Sequence, residues 1–251
     1  MLETAVIVPT YNEKDNIATL VPMLLDLPVD LAVIIVDDNS PDGTGDLAAE
    51  LSAAHPDRVF LIQREGKLGL GTAYLAGFEF ALQHDFNRIM TMDADFSHHP
   101  RYIPGMVEAS RVGVFRVIGS RDVPGGETPD FPLRRRLLSW GANAFTHTLL
   151  GLNARDTTAG FRCYRREVLS SLPLDSIFSN GYSFLIEMLW LVQNAGFTVG
   201  EVPIVFEDRI HGKSKISQRE IARALYTVMR LFARRVLGRS AVVLIGEERP
   251  S

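Results

Sequence analysis

The sequence predicts an α/β fold built on a mainly parallel, doubly wound sheet, and three observations predict it. Short β-branched apolar runs alternate with apolar patterns of helical period from Ala5 to Ser120. The run Ala32 to Val36 is apolar without a break, as in a strand buried on both faces. Run after run then ends in polar or charged residues, and in open sheets of this kind ligands gather at the carboxyl ends of the strands.

Size and composition set the bounds. With 251 residues and 46% hydrophobic content, the chain suits one large α/β domain or two small ones with a substantial core. Its single cysteine, Cys163, excludes an internal disulfide framework and fits a reducing compartment, where a small buried side chain is the expected role. A net charge of −4 gives no general attraction to nucleic acid, although the last fifth of the chain is basic. Met1-Leu2-Glu3 lacks the basic start of a signal peptide, and no apolar stretch reaches the length of a membrane span.

Taken in order, Ala5 to Thr10 reads as a strand ending in Pro9, followed by Tyr11-Asn12-Glu13. A helix with Ile17, Leu20, Val21 and Leu24 on one face comes next; Pro22 requires it to start late or to bend. The strand Ala32 to Val36 ends in Asp37-Asp38-Asn39-Ser40, Pro41 to Thr44 supplies a turn and cap, a helix covers about Asp46 to Ala54, and Val59 to Gln63 is a third strand. Gly66-Lys67-Leu68-Gly69-Leu70-Gly71 then opens a helix through Ala81. Its glycines suit either a loop whose backbone and Lys67 approach a nucleotide or a closely packed helix start. The order Gly-x-x-Gly-x-Gly after a third strand is not the dinucleotide fingerprint.

The run Ile89 to Met92 ends in Asp93-Ala94-Asp95. If extended geometry continues through Ala94, both carboxylates fall on one side and can share a hard divalent cation, Mg²⁺ or Mn²⁺, completed by a substrate diphosphate. An isolated Asp-Ala-Asp is more often a solvated acidic turn. What favours a site is convergence, because Glu13, Asp38, Asp93 and Arg121 all follow predicted strands.

A helix from Pro100 and a strand near Phe115 to Ser120 come next, and the Pro- and Gly-rich stretch Asp122 to Phe131 reads as a mobile loop or lid. Arg134-Arg135-Arg136 opens a helix to about Leu150 with a broad apolar face of Leu137, Leu138, Trp140, Ala144, Phe145 and Thr148. Cations at a helix start oppose the macrodipole, which fits either a bound anion or a solvated turn. Asp156 to Arg162 lines a site or caps a short strand; Asn180-Gly181-Tyr182-Ser183-Phe184 opens an apolar helix through Gln193 whose lone acid, Glu187, faces a cavity or the edge of the apolar face. Phe197 to Phe206 is a strand, and Glu207 to Lys215 a basic loop. The terminal helix, Gln218 to Leu237, sets Arg219, Arg223, Arg230 and Arg234 opposite Ile221, Leu225, Val228, Phe232 and Val236. It suits an anionic bilayer surface or a core-packed helix with a solvated basic face. His98 and His99 are near the acidic motif but share no metal-ligand spacing with it.

Six motifs in order, PTYNE (9–13), VDDNSPDGT (36–44), GKLGLGTAY (66–74), MDADFSHHP (92–100), GSR (119–121) and GKSK (212–215), resemble the inverting family 2 glycosyltransferases, and among them the dolichol-phosphate or polyprenol-phosphate mannose synthases. The resemblance implies a GT-A fold, GDP-mannose as donor, Mg²⁺ or Mn²⁺, and a polyprenyl or dolichyl phosphate acceptor mannosylated with inversion. Carried over residue by residue, it implies that Pro9, Tyr11, Glu13, Val36, Asp38, Lys67 and Ala94 line the nucleotide sugar and that Asp93 and Asp95 hold metal and diphosphate. It places Arg121, Arg135 and Ser139 on the acceptor phosphate, and Arg209 and Lys215 as clamps on phosphates. Some relatives carry an amide two residues beyond the second aspartate as a further metal ligand, where this chain has Ser97.

The expected division is a catalytic domain over 1–215, an amphipathic helix over 216–239 and a tail over 240–251, on the cytosolic face of a membrane, attached peripherally or through a small anchoring subunit. The competing readings are a related lipid-phosphate glycosyltransferase with another sugar nucleotide, a sugar nucleotidyltransferase, and a non-catalytic membrane-surface module.

Overall fold

A computed structural model describes residues 2–111, 114–129, 131–207 and 218–246. Seven strands form one sheet in the order β3-β2-β1-β4-β6-β5-β7. They are β1 (Thr4–Thr10), β2 (Leu31–Asp37), β3 (Val59–Gln63), β4 (Arg88–Thr91), β5 (Arg116–Ser120), β6 (Arg162–Arg165) and β7 (Val199–Pro203). β6 alone runs against its neighbours, β4 and β5. The carboxyl ends of the other six therefore share one edge, which is the mainly parallel arrangement the sequence predicts.

Helices α1 (Lys14–Leu25), α2 (Thr44–Ala54), α3 (Leu70–Gln83), α4 (Ile103–Ala109), α5 (Leu133–Leu150), α6 (Arg166–Ser171), α7 (Tyr182–Asn194) and α8 (Gln218–Gly246) flank the sheet. Two apolar clusters fill its two faces. One gathers the side chains of Ile7, Ile34 and Val36 under α3 and α7, the other those of Val6, Val8 and Ile35 under α1 and α4. α3 lies directly on β1 because Gly77 lacks a side chain; a Cβ there would stand 2.5 Å from Ile7 Cγ2.

Several expectations change on folding. α1 does not start late; it runs through Pro22, which sits in its last turn, where little of the helical ladder remains to be broken. The stretch after β5 is tied down rather than free. Glu127 donates its N–H to Ile204 O at 3.0 Å and accepts from Phe206 N at 2.9 Å, while Phe131 is buried edge-on to Phe206. α5 buries its polar side, Asn143 and Thr146 together with Leu150, and leaves Leu133, Leu137 and Trp140 60–72% exposed.

The terminal helix continues to Gly246 and does not divide as its wheel predicts. Its buried row is Thr227, Val228 and Leu231, while Ile221, Leu225, Tyr226, Met229 and Val236 are exposed. Two of its arginines lie over aromatic rings: Arg230, itself exposed, covers the Phe178 ring at 3.9 Å, and the partly buried Arg234 the Trp190 ring at 5.3 Å. Glu187 does not line the open cavity described below. It is fully buried and accepts the N–H and hydroxyl of Ser179 on one oxygen. Burial holds its carboxyl above the ordinary range. Cys163 is buried as expected, and burial pushes its thiol up to about 12.

Candidate functional site at the carboxyl edge of the sheet

Short side chains knit the loops after β1 and β2 into one floor. Asp37 accepts from Thr10 Oγ1 at 2.9 Å and from Ser40 Oγ at 2.6 Å, and Ser40 Oγ in turn accepts the Asn12 N–H at 3.0 Å. Asn12 and Asn39 take positive φ angles of 60° and 57°, a conformation asparagine tolerates better than most residues. Pro9 pairs with Val36 across this floor, and Glu13 accepts from Asn16 Nδ2 at 2.5 Å. The Val36 side chain is wholly in the core, so only its backbone can meet a ligand, which narrows the role the resemblance implies.

Asp38 is committed to the glycine loop. One oxygen takes the Arg64 guanidinium at 2.6 Å, and the other accepts the N–H groups of Leu68 and Gly69 at 3.1 and 3.4 Å. Arg64 also reaches Thr72 Oγ1 at 2.9 Å, and Lys67 Nζ lies 4.0 Å above the Tyr11 ring. Four of the sequence-predicted residues or stretches, Tyr11, Asp38, Lys67 and the loop itself, therefore form one wall. Arg64 went unnoticed although it directly follows β3, as Arg121 follows β5, and that position was the signal available.

The acidic motif is not a continuation of the strand. β4 stops at Thr91, a turn includes Ala94 and Asp95, and Phe96 has φ +62°, so period-two geometry does not align the carboxylates. Each is oriented by its own neighbours. Asp95 is 3% exposed and accepts from Ser97 Oγ and N–H at 2.6 and 3.1 Å. Asp93, whose side chain is 31% exposed, accepts from Tyr74 Oη at 3.1 Å. Ala94 is buried between them.

His98 is an integral part of this turn rather than an ordinary polar residue nearby. It is 2% exposed, stacks on Phe161, and accepts the Asp93 N–H on Nδ1 at 3.3 Å. Burial keeps its pKa below the ordinary value against the pull of Asp93 and Asp95, so it is neutral and both carboxylates lie within its field. Burial and the Asp93 charge hold the Tyr74 phenol well above its usual range, so it stays a donor.

This donor set fits a hard divalent cation held by few protein ligands. Both candidate ligands are carboxylates, and Ser97 takes the place of an amide but spends its hydroxyl on Asp95. Among the described residues no group of three His, Cys, Asp or Glu side chains forms a closed cage. That suits an ion such as Mg²⁺, which completes its shell with substrate phosphate and water.

Beyond the carboxylates lies an open cavity of about 810 Å³, lined by Arg121, Asp122, Arg136, Ser139, Trp140 and Asn143 among others. Arg121 is fixed there by Asp156, with Nε and Nη2 at 2.6 and 2.7 Å from its two oxygens. Asp156 is fully buried. Burial raises its pKa, but Arg121 more than offsets this and holds the carboxyl below its ordinary value. The Asn143 amide spans Asp122 and Thr157, at 2.7 Å to the first and 2.8 Å from the second, and so anchors α5 to the cavity floor. Ser139 lines the cavity as its predicted role requires. Arg136 lines it too, and Arg135 lies 3.7 Å over the ring of Phe131, which is part of the same lining. Arg209 and Lys215 fall outside the described residues.

Residues 5–172 match the family described as glycosyl transferase family 2. Over 225 residues the chain is 45% identical to the polyprenol monophosphomannose synthase of Mycolicibacterium smegmatis, an alignment covering 90% of this chain and 85% of that protein. Over 224 residues it is 41% identical to the undecaprenyl-phosphate mannosyltransferase of Micrococcus luteus, covering 89% and 91%. Mannosyl-3-phosphoglycerate synthase from Rubrobacter xylanophilus superposes with a TM-score of 0.65 at 20% identity, over 100% of this chain and 78% of that one. Glucosyl-3-phosphoglycerate synthase from Mycobacterium tuberculosis, crystallised with Mn²⁺, UDP and phosphoglyceric acid, gives 0.63 at 20% identity, over 93% and 78%. At such identities the structural likeness concerns the fold alone.

Proposed function

The chain belongs to glycosyl transferase family 2, and from that premise we propose that it transfers mannose from GDP-mannose to a polyprenyl phosphate with inversion at the anomeric carbon. The observation that carries this reading is Arg121, a guanidinium oriented by a buried carboxylate and presented to a cavity beside the acidic turn. Among the described residues its Nη1 makes no hydrogen bond, which leaves a charged donor for an anionic acceptor. The names of the two relatives supply mannose and the polyprenyl phosphate.

In this reading the Tyr11, Asp38 and Lys67 wall receives the nucleotide, and Asp93 and Asp95 hold Mg²⁺ or Mn²⁺. Such a cation, when bound, neutralises the diphosphate that leaves. Tyr74 and Ser97 keep the two carboxylates oriented. Arg121, with Ser139 and Arg136 beside it, positions the acceptor phosphate and balances its charge.

A lipid acceptor also needs a way in from a bilayer. No helix among the described residues is long and apolar enough to cross a membrane. Among the described residues, four of the exposed large hydrophobic side chains lie on α5 and five on α8, against two elsewhere. α8 packs on α5, with Arg235 Nη1 donating to Leu149 O at 3.0 Å. Leu133, Leu137 and Trp140 together with Leu225, Met229 and Val236 thus offer an apolar surface next to the cavity that Trp140 lines. Peripheral attachment through these exposed side chains fits their concentration on the two neighbouring helices.

The test is release of GDP from GDP-mannose with Mn²⁺, with and without polyprenyl phosphate in detergent. Release only with the lipid phosphate, accompanied by a mannosylated lipid, is the expected result. Equal release without it, or with dephosphorylated polyprenol, overturns the reading.

A further inference from the structure

We propose that Asn180 is the positioning residue that ties the donor-side glycine loop to α8, so that seating α8 on a lipid surface strengthens binding of a nucleoside diphosphate. The inference rests on the proposed function for the identity of the two ligands, while the linkage itself is read from contacts around residues 178–181.

On the donor side, α3 begins at Leu70 with glycine at its N-cap and no side-chain cap of its own. Its first-turn N–H groups need partners from outside the helix. Asn180, 109 residues away in sequence, supplies one: its Oδ1 accepts the Gly71 N–H at 3.2 Å. The same oxygen accepts the Gly181 N–H at 3.2 Å, so the amide is held from both sides. A Cβ on Gly69, whose φ is +102°, would stand 2.9 Å from Asn180 Oδ1, and one on Gly71 would stand 3.1 Å from that oxygen and 3.1 Å from the Phe184 ring, so Asn180 packs closely on both glycines. Gly69 also donates to Asp38. The position of Asn180 therefore sets the loop that carries Lys67 over Tyr11.

On the other side the same short segment is gripped by α8 and α7. The Phe178 ring lies under the Arg230 guanidinium at 3.9 Å. Ser179 gives both its donors to the buried Glu187. Gly181, with φ +60°, faces the Glu220 carboxylate, which a Cβ there would have to displace. Arg230 and Glu220 belong to the helix that exposes Leu225, Met229 and Val236. A shift of α8 on docking is passed to Phe178 and Gly181, and from there through Asn180 to Gly71. Linkage makes the effect reciprocal: whatever factor the lipid surface adds to nucleotide affinity, the nucleotide adds to lipid affinity.

The experiment measures GDP affinity by calorimetry in Mn²⁺ buffer, with and without saturating vesicles of phosphatidylglycerol and phosphatidylcholine, and vesicle affinity with and without GDP. For the unaltered protein both ratios should agree and exceed about threefold. Asn180→Ala should bring them to one while vesicles still bind, and Asn180→Asp, which keeps an acceptor for Gly71, should restore them. Phe178→Leu, which keeps the apolar packing but loses the guanidinium contact, should lower the ratio with GDP affinity in the absence of vesicles retained. Ratios of one in the unaltered protein, with GDP and vesicles each bound, overturn the linkage and leave the proposed function standing. So does an Asn180→Ala protein that keeps its ratio. Failure to bind GDP at all removes the donor assignment, and the inference falls with it.

Discussion

Arg121 and Asp156 form a bidentate ion pair at 2.6 and 2.7 Å in which the carboxylate is wholly buried and the guanidinium reaches the cavity. Asp156 therefore acts through Arg121. Removing one partner of a buried pair strands the other, at a cost of roughly 3–5 kcal/mol. Asp156→Asn should raise the lipid-phosphate KM or lower kcat by at least about tenfold, while GDP affinity by calorimetry stays within about twofold. Loss of GDP binding instead would mean that Arg121 serves the donor phosphates.

The same pair fixes the response to acid. The Asp156 pKa is lower in the folded protein than its ordinary value of 3.8, so its contribution to stability is present above that value. It is lost as pH falls through the depressed folded value. Urea midpoints should drop more steeply in this acid range for the unaltered protein than for Asp156→Asn. Parallel curves would show that other carboxylates govern acid unfolding.

Metal and donor binding should be coupled through the acidic turn. Asp95→Asn removes a charge that a divalent cation needs, although the amide can still accept from Ser97. Mn²⁺-dependent GDP-mannose turnover should vanish, and the gain in GDP affinity on adding Mn²⁺ should disappear with it. Titration of GDP into the unaltered protein with and without Mn²⁺ is the control. Equal affinities there would count against a metal-bridged diphosphate.

Membrane attachment should be mainly apolar. The sequence offers an arginine face on α8, solvated or turned to a membrane; on it Arg230 and Arg234 lie over aromatic rings and Arg223, 61% exposed, pairs with Glu220 at 3.0 Å, so part of that charge is already engaged. Leu137 and Leu225 are 60% and 47% exposed, and burying a leucine is worth about 1.5–3 kcal/mol. Leu137→Glu with Leu225→Glu should weaken vesicle sedimentation by more than about tenfold, and the difference should persist in about 1 M salt, where the Debye length is only ~3 Å. Undiminished binding would place the attachment elsewhere.

The boundary between what was legible and what was not follows the physics of range. Val59–Gln63 was readable to the residue because a short, mostly apolar run bounded by polar and turn residues is a local signal. The sheet edge where the site gathers was readable too, since strand ends carry polar residues whatever their partners. Which face of α5 or α8 would be buried was not. Both helices bury a mixed row with threonine and expose leucines, because the elements packed against them decide. Asp156, Asn143 and Asn180 were missed or misread for the same reason. Their partners, Arg121, Thr157 and Gly71, lie 35, 14 and 109 residues away in sequence.

The last prediction concerns the base that this site should not need. Transfer to a hydroxyl calls for a carboxylate to take the proton, a contribution of about 10²–10⁴ in rate. A phosphate monoester has a second pKa of about 6, so at neutral pH an oxygen is already anionic and can attack the anomeric carbon unaided. The acids fall into place on this view. Glu187 is buried against Ser179 and Asp156 is consumed by Arg121. Among the described residues that leaves Asp122 and Glu127 on the cavity wall. Burial and the charge of Asp156 raise the Asp122 pKa, the direction a base would need, so it is the acid to test. Its partner Asn143 Nδ2 can donate as well to an amide, so Asp122→Asn keeps that contact. Asp122→Asn and Glu187→Gln should each lose less than about 10²-fold in kcat. In both variants, kcat/KM for the lipid phosphate should still rise with pH to a plateau near about 6, the acceptor's own titration. A folded Asp122→Asn protein that falls about a thousandfold and loses this rise would identify a protein base, and the acceptor group would then be a hydroxyl.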